Sequence, residues 1–432
     1  MSPTTTAGAE RLLAAAPGTT PDLAGHLGTH GPLAVPPRDD PEWRAGMWRA
    51  VAESGLLGRG GAGFPAGVKW DGIRRAARRP MVVVNAMEGE PASAKDRVLL
   101  GHAPHLVLDG AEVAAAVVGA SEVVLCVADD NDRAAATLAA AVAERLRAGT
   151  TRCRLSVERP PGRYVTGEES ALVGWLDSRS PLPTFRTDKS VPLTVARRPV
   201  LVHNAETMAQ VALIARHGPA WFRRMGTPEA PGSTLVTVSG AVRSPGVLDV
   251  ELGTPVADVL GRAGAAAGLS AVLVGGYGGA WLDPSLLGTP YAPRALAEVG
   301  ATFGVGILVA LPAGSCGVAE TARIARFMAG ESAGQCGPCV FGLPAIADDL
   351  ERLWAGRADA ALLGRIEDRA RAIEGRGACR HPDGVVRLVR SALAVFAADV
   401  RGHARGRPCP GHLAPTVLPF PARAVAGARR AS

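Results

Sequence analysis

Residues 331–339, Glu-Ser-Ala-Gly-Gln-Cys-Gly-Pro-Cys, constrain this chain more than any other stretch. They set Cys336 and Cys339 three residues apart in a loop broken by glycine and proline. Cys379 sits in a second tight loop, Gly-Arg-Gly-Ala-Cys-Arg-His-Pro-Asp-Gly. Thiolates on loops that can fold closely round a compact metal core are how proteins hold iron–sulfur clusters. A cubane cluster is ordinarily held by four thiolates, and these loops offer three. Between them, Leu343, Ile346, Leu350 and Leu353, then Leu362, Ile366, Ala370 and Ile373, recur at helical spacing. Two amphipathic helices that go out and come back would place both cysteine loops at one end of a small bundle. Cys316 precedes the first helix of this region, and a helix rising 1.5 Å per residue would hold it roughly 20 Å from the cluster loops.

With 432 residues the chain has room for two to four domains. Its seven cysteines are irregularly spaced, and the first ten residues lack a basic start followed by an apolar core. A cytoplasmic protein with reduced thiols is therefore expected. The longest apolar runs, such as 305–311, are far short of the roughly 20 residues of a spanning helix, so membrane contact would go through partners. The net charge of +7 owes part of its size to the C-terminus, where Arg401, Arg405, Arg407, Arg423, Arg429 and Arg430 follow the last acidic residue, Asp399. Residues 401–432 read as a basic disordered tail. No aromatic residues are interleaved through a basic stretch, and nucleic-acid binding is not expected.

Residues 1–40, rich in Thr, Pro, Gly and Ala, read as a flexible lead-in. Asp40-Pro41 opens a helix over 42–54, which stops at Gly55. Gly58-Arg59-Gly60-Gly61-Ala62-Gly63-Phe64-Pro65 follows, with Lys69 close behind. Such a loop lets backbone N–H groups approach a phosphate, and the lysine adds charge. Its G-x-G-x-x-G follows a helix and not a strand, so it lacks the Rossmann context, and a plain surface turn is the alternative. Residues 81–85 read as a buried parallel strand ending in Asn-Ala-Met-Glu-Gly-Glu-Pro, where ligands bind in open α/β sheets. Helix over 107–118, strand over 122–127 and helix over 133–147 extend an α/β layer fold. The loop 162–172, Gly-Arg-Tyr-Val-Thr-Gly-Glu-Glu-Ser-Ala-Leu, carries Glu168 and Glu169 into a helix, either as its cap or as ligand contacts. From 235 to 311 short strands, a helix over 256–263 and Gly275-Gly276-Tyr277-Gly278-Gly279 suggest a structural or docking α+β unit.

Taken together, these motifs resemble the NADH-binding flavoprotein subunit of respiratory complex I and its relatives in soluble hydrogenases and formate dehydrogenases, in unbroken order over roughly 50–400. The resemblance implies an α/β protein: a Rossmann-like FMN/NADH domain at 41–230, a β-grasp (soluble-ligand-binding) domain at 233–312 and a helical iron–sulfur domain at 313–400. It implies NADH as substrate, non-covalent FMN and an iron–sulfur cluster that takes electrons one at a time, with other iron–sulfur or ferredoxin-like subunits as partners. By the same resemblance Gly58, Arg59, Gly60, Gly61, Ala62, Gly63 and Lys69 hold the flavin phosphate and ribityl chain, and Phe64 stacks on nucleotide. Asn85, Glu88, Gly89 and Glu90 line the isoalloxazine and nicotinamide. Tyr164, Gly167, Glu168, Glu169, Asn204 and Thr207 complete the cofactor site, and Cys336, Cys339 and Cys379 bind the cluster. No residue is needed as acid, base or nucleophile.

Several positions depart from the family pattern. Ala333 stands where the first cluster cysteine belongs, which leaves a [4Fe–4S] cluster short of a ligand or points to a [3Fe–4S] centre. Met87 replaces an aspartate, Gly72 an aromatic residue, Arg186 a lysine and Ser170 a threonine. The alternatives to NADH oxidation are an FMN protein with another electron partner, such as ferredoxin, or a non-catalytic scaffold.

Overall fold

A computed structural model describes residues 11–13, 22–35, 40–76, 79–187 and 191–421. The first unit is built on a five-stranded sheet. Helices α1 (Leu23–His30), α2 (Pro41–Ser54) and α3 (Ala66–Arg74) precede β1 (Met81–Ala86). Then come α4 (Lys95–His102), α5 (Pro104–Val118), β2 (Glu122–Val127), α6 (Asp132–Ala148), β3 (Arg154–Glu158), α7 (Glu169–Ser178), β4 (Thr194–Val195), β5 (Arg198–Asn204) and α8 (Ala205–Phe222). The strand order is β3-β2-β1-β5-β4, parallel throughout except for the short antiparallel edge β4. Runs such as Val82-Val83-Val84 are buried on both faces, as a covered parallel sheet requires. The chain leaves β1 for β2 on one side and later returns to β5 on the other. The carboxyl end of β1 is thus the switch point of the sheet, where a ligand crevice opens.

Local chemistry accounts for the helix ends. Asp40 caps α2 by accepting from the Trp43 amide at 2.9 Å, and Gly55 stops it in a left-handed conformation. Behind the sheet α5 and α8 cross so closely that a Cβ on Gly110 would lie 1.7 Å from the Met208 carbonyl oxygen.

The second unit holds β6 (Ser233–Gly240), β7 (Gly246–Glu251), α9 (Val256–Arg262), β8 (Leu269–Val274), β9 (Ala280–Leu282), α10 (Pro293–Glu298) and β10 (Ile307–Pro312). Its sheet order is β7-β6-β10-β8-β9, with β10 parallel to β6 and the other pairs antiparallel. The third unit is all-helical: α11 (Gly317–Gly330), α12 (Leu343–Trp354), α13 (Leu362–Ile373), α14 (His381–Val395) and α15 (Ala397–Ala404). The two apolar stripes read from the sequence are its core, with Leu343, Ile346, Leu353, Leu362, Ile366 and Ala370 completely buried.

Two expectations need correction. The lead-in is ordered where it is described: α1 packs His26 against Asp109 at 2.8 Å, and the amides of Arg11 and Leu12 both donate to Asp249. The basic tail is not disordered over 401–421. Leu418 is buried, and Thr416 and the Val417 amide bind Glu320. The lapse is one of composition: charge and glycine hid a handful of apolar and hydrogen-bonding residues that suffice to fold the segment back. Arg423, Arg429 and Arg430 lie outside the described residues.

Replacing Gly110 by alanine should overpack the α5–α8 crossing and cost about 1–3 kcal/mol or more. Denaturant unfolding of the purified protein measures this, and an unchanged midpoint would disprove the crossing.

Candidate functional site

The glycine-rich loop between α2 and α3 closes on itself through the Gly58 amide and the Phe64 carbonyl (2.9 Å). Gly61 (φ 105°) and Gly63 (φ 62°) take conformations that side chains avoid. Gly61 bridges to Gly304 of the second unit, and Phe64 is half exposed. The Arg59 amide donates to Thr207 Oγ1 at 2.9 Å, but the Arg59 guanidinium turns inward, buried beside Glu206 and donating to the Ser233 carbonyl. Lys69 projects from α3 to Glu169 (2.8 Å) and the Val202 carbonyl (2.7 Å). The loop, the lysine and Glu169 thus stand together at the carboxyl edge of β5.

The segment after β1 packs against the loop 162–167. Asn85 donates to the Gly167 carbonyl at 2.8 Å, and a Cβ on Gly89 would lie 2.9 Å from the Arg163 carbonyl oxygen. Glu88 adopts φ 44°, an uncommon conformation for a residue with a side chain. Its carboxylate accepts from Ser93 Oγ and the amides of Asp96 and Arg97, and it pairs with the Arg97 guanidinium. Helix α4 has no cap of its own, so Glu88 serves as one. Glu168 does the same for α7, accepting from the amides of Ser170 and Ala171, both at 2.9 Å. Of the acidic residues assigned to the cofactor, two are therefore engaged in holding helix N-termini.

Glu90 is different. One oxygen accepts from the Tyr277 amide at 2.9 Å, the Tyr164 ring lies alongside, and Oε1 makes no well-formed hydrogen bond among the described residues. Burial pushes its carboxyl up to about 7, against hydrogen bonds that pull the other way.

Sequence reasoning missed Lys95 and Asp96 beneath the site. Lys95 reaches Asp96 (2.8 Å), Asn204 (2.7 Å) and Glu206 (3.1 Å), all within the interior. Burial disfavours its charge, yet Asp96 and Glu206 hold the ammonium above its ordinary range. Asn204 caps α8 and donates to Asp96 and to the Asn85 carbonyl. The one available signal was the polar run Ser93-Ala94-Lys95-Asp96 directly after the strand-end segment.

The cysteine loops lie against this site. Tyr164 donates its amide to Glu331 (2.8 Å), while the Arg163 guanidinium donates to the carbonyls of Gly330 and Ser332. Gln335 donates to the Pro183 carbonyl at 2.8 Å. A π-helical turn over Pro338–Gly342 carries Cys339, an irregularity common at functional sites. Burial, then its neighbours Cys336 and Cys379, pushes the Cys339 thiol up to about 12. The Cys379 thiol is raised to about 11, by burial first and with Glu168 among its neighbours. Cys336 and Cys379 are thus both electrostatic neighbours of Cys339, across two loops. Ala333 offers no donor on the same loop.

Comparison with known proteins shows the family. Residues 51–213 match the Nuo51 FMN-binding domain, 319–403 the NADH-ubiquinone oxidoreductase-F iron-sulfur binding region and 235–271 the SLBB domain. The F 2 subunit of the NADH-quinone oxidoreductase of Rhizobium meliloti is 31% identical over 376 residues, 84% of this chain and 89% of that protein. The F subunit of the Streptomyces coelicolor NADH-quinone oxidoreductase is 31% identical over 399 residues, 89% of this chain and 87% of its own. The chain belongs to this family of NADH-oxidising flavoprotein subunits. A solved NAD+-reducing [NiFe]-hydrogenase in the H2-reduced state superposes with a TM-score of 0.77 at 31% identity, over 92% of this chain and 67% of that one. Members are NADH oxidoreductase subunits that carry electrons through FMN to iron–sulfur, and this chain contains the FMN-binding and iron–sulfur binding domains of that family. No helix among the described residues is long and apolar enough to cross a membrane.

Because Glu90 has a folded carboxyl near 7 and an ordinary value of 4.5, the folded state binds the extra proton between those limits. Its contribution to stability is present below pH 4.5 and lost as pH rises through 7. Glu90→Gln should remove this component, so the variant gains on the wild type by a few kcal/mol at most between about pH 5 and 8. Thermal midpoints across that range test it, and parallel pH profiles would refute it.

Proposed function

We propose that this chain accepts a hydride from NADH at an FMN held between the glycine-rich loop and the β1 segment, and passes electrons to a cluster bound by Cys336, Cys339 and Cys379. The observation that carries the reading is the direct grip of the loop 162–167 on the first cysteine loop, through Tyr164 and Glu331. Flavin supplies the conversion of a two-electron donor into single-electron steps.

The residues suit such a group. The amides of 58–63, shaped by left-handed glycines, offer an anion-binding concavity, with Lys69 next to it. Glu90 Oε1 and Thr166 Oγ1, which make no well-formed hydrogen bond among the described residues, remain for polar ligand atoms. Asn85 and Gly167 fix the floor on which a planar ring would lie. Met87, where the family carries an aspartate, is buried among Val83, Leu172 and Val202, so the charge it lacks is replaced by packing. The match over most of the chain favours NADH oxidation above a changed donor or a scaffold. The reading includes a cytoplasmic protein that meets other iron–sulfur subunits and touches a membrane through them alone.

With three cysteines, we infer a cluster of roughly three irons, or four with one external ligand. Ala333→Cys should raise iron per chain and convert the EPR signature to that of an ordinary [4Fe–4S] centre, checked by iron, sulfide and flavin analysis of anaerobically purified protein. Protein that holds FMN but no iron, before and after this substitution and cluster reconstitution, would sink the assignment.

Arg163→Ala removes two hydrogen bonds to the cluster loop without touching the glycine-rich loop. The expected outcome is unchanged flavin reduction by NADH in stopped flow but slower electron arrival at the cluster. Equal slowing of both steps would count against the assigned contact.

A further inference from the structure

The helical unit has a second group of soft donors at the end away from the cluster loops. Cys316 stands at the N-terminus of α11, whereas Cys336 follows that helix's C-terminus, so the two sulfur sites lie at opposite ends of one helix. Around Cys316 the refolded C-terminal segment brings His403 from the end of α15 and Cys409 from the loop beyond it. The sulfurs of Cys316 and Cys409 and a ring nitrogen of His403 all lie within 4.8 Å of one another. Cys316 and His403 are buried and Cys409 half-buried.

The hydrogen bonds aim this group. His403 Nδ1 is 2.9 Å from the Trp354 carbonyl oxygen, which can only accept, so the proton sits on Nδ1. Nε2 then carries the lone pair: it accepts from the Cys409 amide at 3.3 Å and faces Cys316 Sγ at 3.5 Å. A carbonyl that fixes the far nitrogen is the usual outer support of a metal-binding histidine. Cys316 Sγ meanwhile accepts from the Ala319 amide at 3.3 Å, as the cap of α11. A tetrahedral zinc separates its sulfur and nitrogen ligands by about 3.5–3.8 Å, a spacing the Cys316–His403 pair already meets.

We propose that Cys316, His403 and Cys409 bind a zinc ion, separate from the iron–sulfur cluster, that clamps the C-terminal segment onto α11. Two thiolates and an imidazole select zinc over hard cations. The fourth ligand would come from His412, which makes a Cys-x-x-His pair with Cys409. Its ring faces that of His403 edge-on with centres 6.5 Å apart, and its Nδ1 bonds the Cys409 carbonyl, so Nε2 is the nitrogen left for a metal. The clamp would secure a strap already tied down by Trp354 Nε1 to the His412 carbonyl and by Glu320 to Thr416 and Val417.

The test is metal analysis of the full-length protein, purified anaerobically under reducing conditions and incubated with Zn2+. About one zinc per chain is expected in addition to cluster iron. Cys316→Ser and Cys409→Ser should each lower zinc about tenfold or more and leave iron and flavin unchanged, while Cys336→Ser should lower iron and leave zinc. Zinc K-edge absorption of the wild type requires no variant, and should show two sulfurs at about 2.3 Å with nitrogen at about 2.0–2.1 Å. A wild type that retains no zinc, a zinc shell without sulfur, or a Cys316–Cys409 disulfide in the freshly isolated protein would overturn the site. None of these outcomes depends on whether the cluster or NADH reading holds.

Discussion

The Glu331 carboxylate accepting the Tyr164 amide is the contact that ties the first unit to the helical one, and the rest of the arrangement is built around it. A hydrogen bond from a main-chain amide to a carboxylate is short and directional, so it fixes the spacing between two loops better than apolar packing could. On one side of it lie Asn85 and Gly167, at the floor of the proposed flavin crevice. On the other lie the cysteines. Glu90 adds the third body, since its carboxylate takes the Tyr277 amide of the second unit while touching Tyr164. Tyr277 in turn packs against Phe327 of α11 and Phe420 of the returning C-terminal segment. Electron transfer needs donor and acceptor held close without large motion, and a junction of short polar contacts backed by aromatic rings supplies that rigidity.

Beneath the crevice Lys95, Asp96, Glu206 and Arg59 form a chain of charges with almost no exposure to water. Such burial is costly unless each charge is paired and hydrogen-bonded. Here each charge has an opposite partner, and Glu206 also accepts from Thr234 Oγ1 and the Leu235 amide of the second sheet, while Arg59 Nε and Nη1 and Glu206 Oε2 make no well-formed hydrogen bond among the described residues. The network therefore ties the first and second units as well as supporting the strand ends. Glu88 and Glu168 follow the same logic. As caps of α4 and α7 they are held rigid, and the loops they stiffen are those that would line the cofactor.

Much of this was legible in the chain itself. The apolar stripes of α12 and α13, the buried run of β1 and the Asp40 and Gly55 boundaries of α2 follow from local rules of periodicity and capping. That Cys336, Cys339 and Cys379 sit on loops at one end of the helical unit was readable from loop composition and the length of the helices between them. What escaped notice was long-range. Lys95 drew no reading from the sequence because nothing nearby announces Glu206 as its partner. The polar, proline-punctuated segment at 405–420 looked unstructured because its partners, Trp354, Glu320 and Tyr277, are far away along the chain.

By itself, then, the sequence determined the kinds of element, the order of the units and the two cysteine loops, because those depend on neighbours within a turn or two. Tertiary structure alone decided which carboxylates cap helices and which, like Glu90, are buried between units. It also decided that Cys316, His403 and Cys409 would meet. Burial and pairing are properties of residues that become neighbours only once the backbone has closed, and no local pattern encodes them.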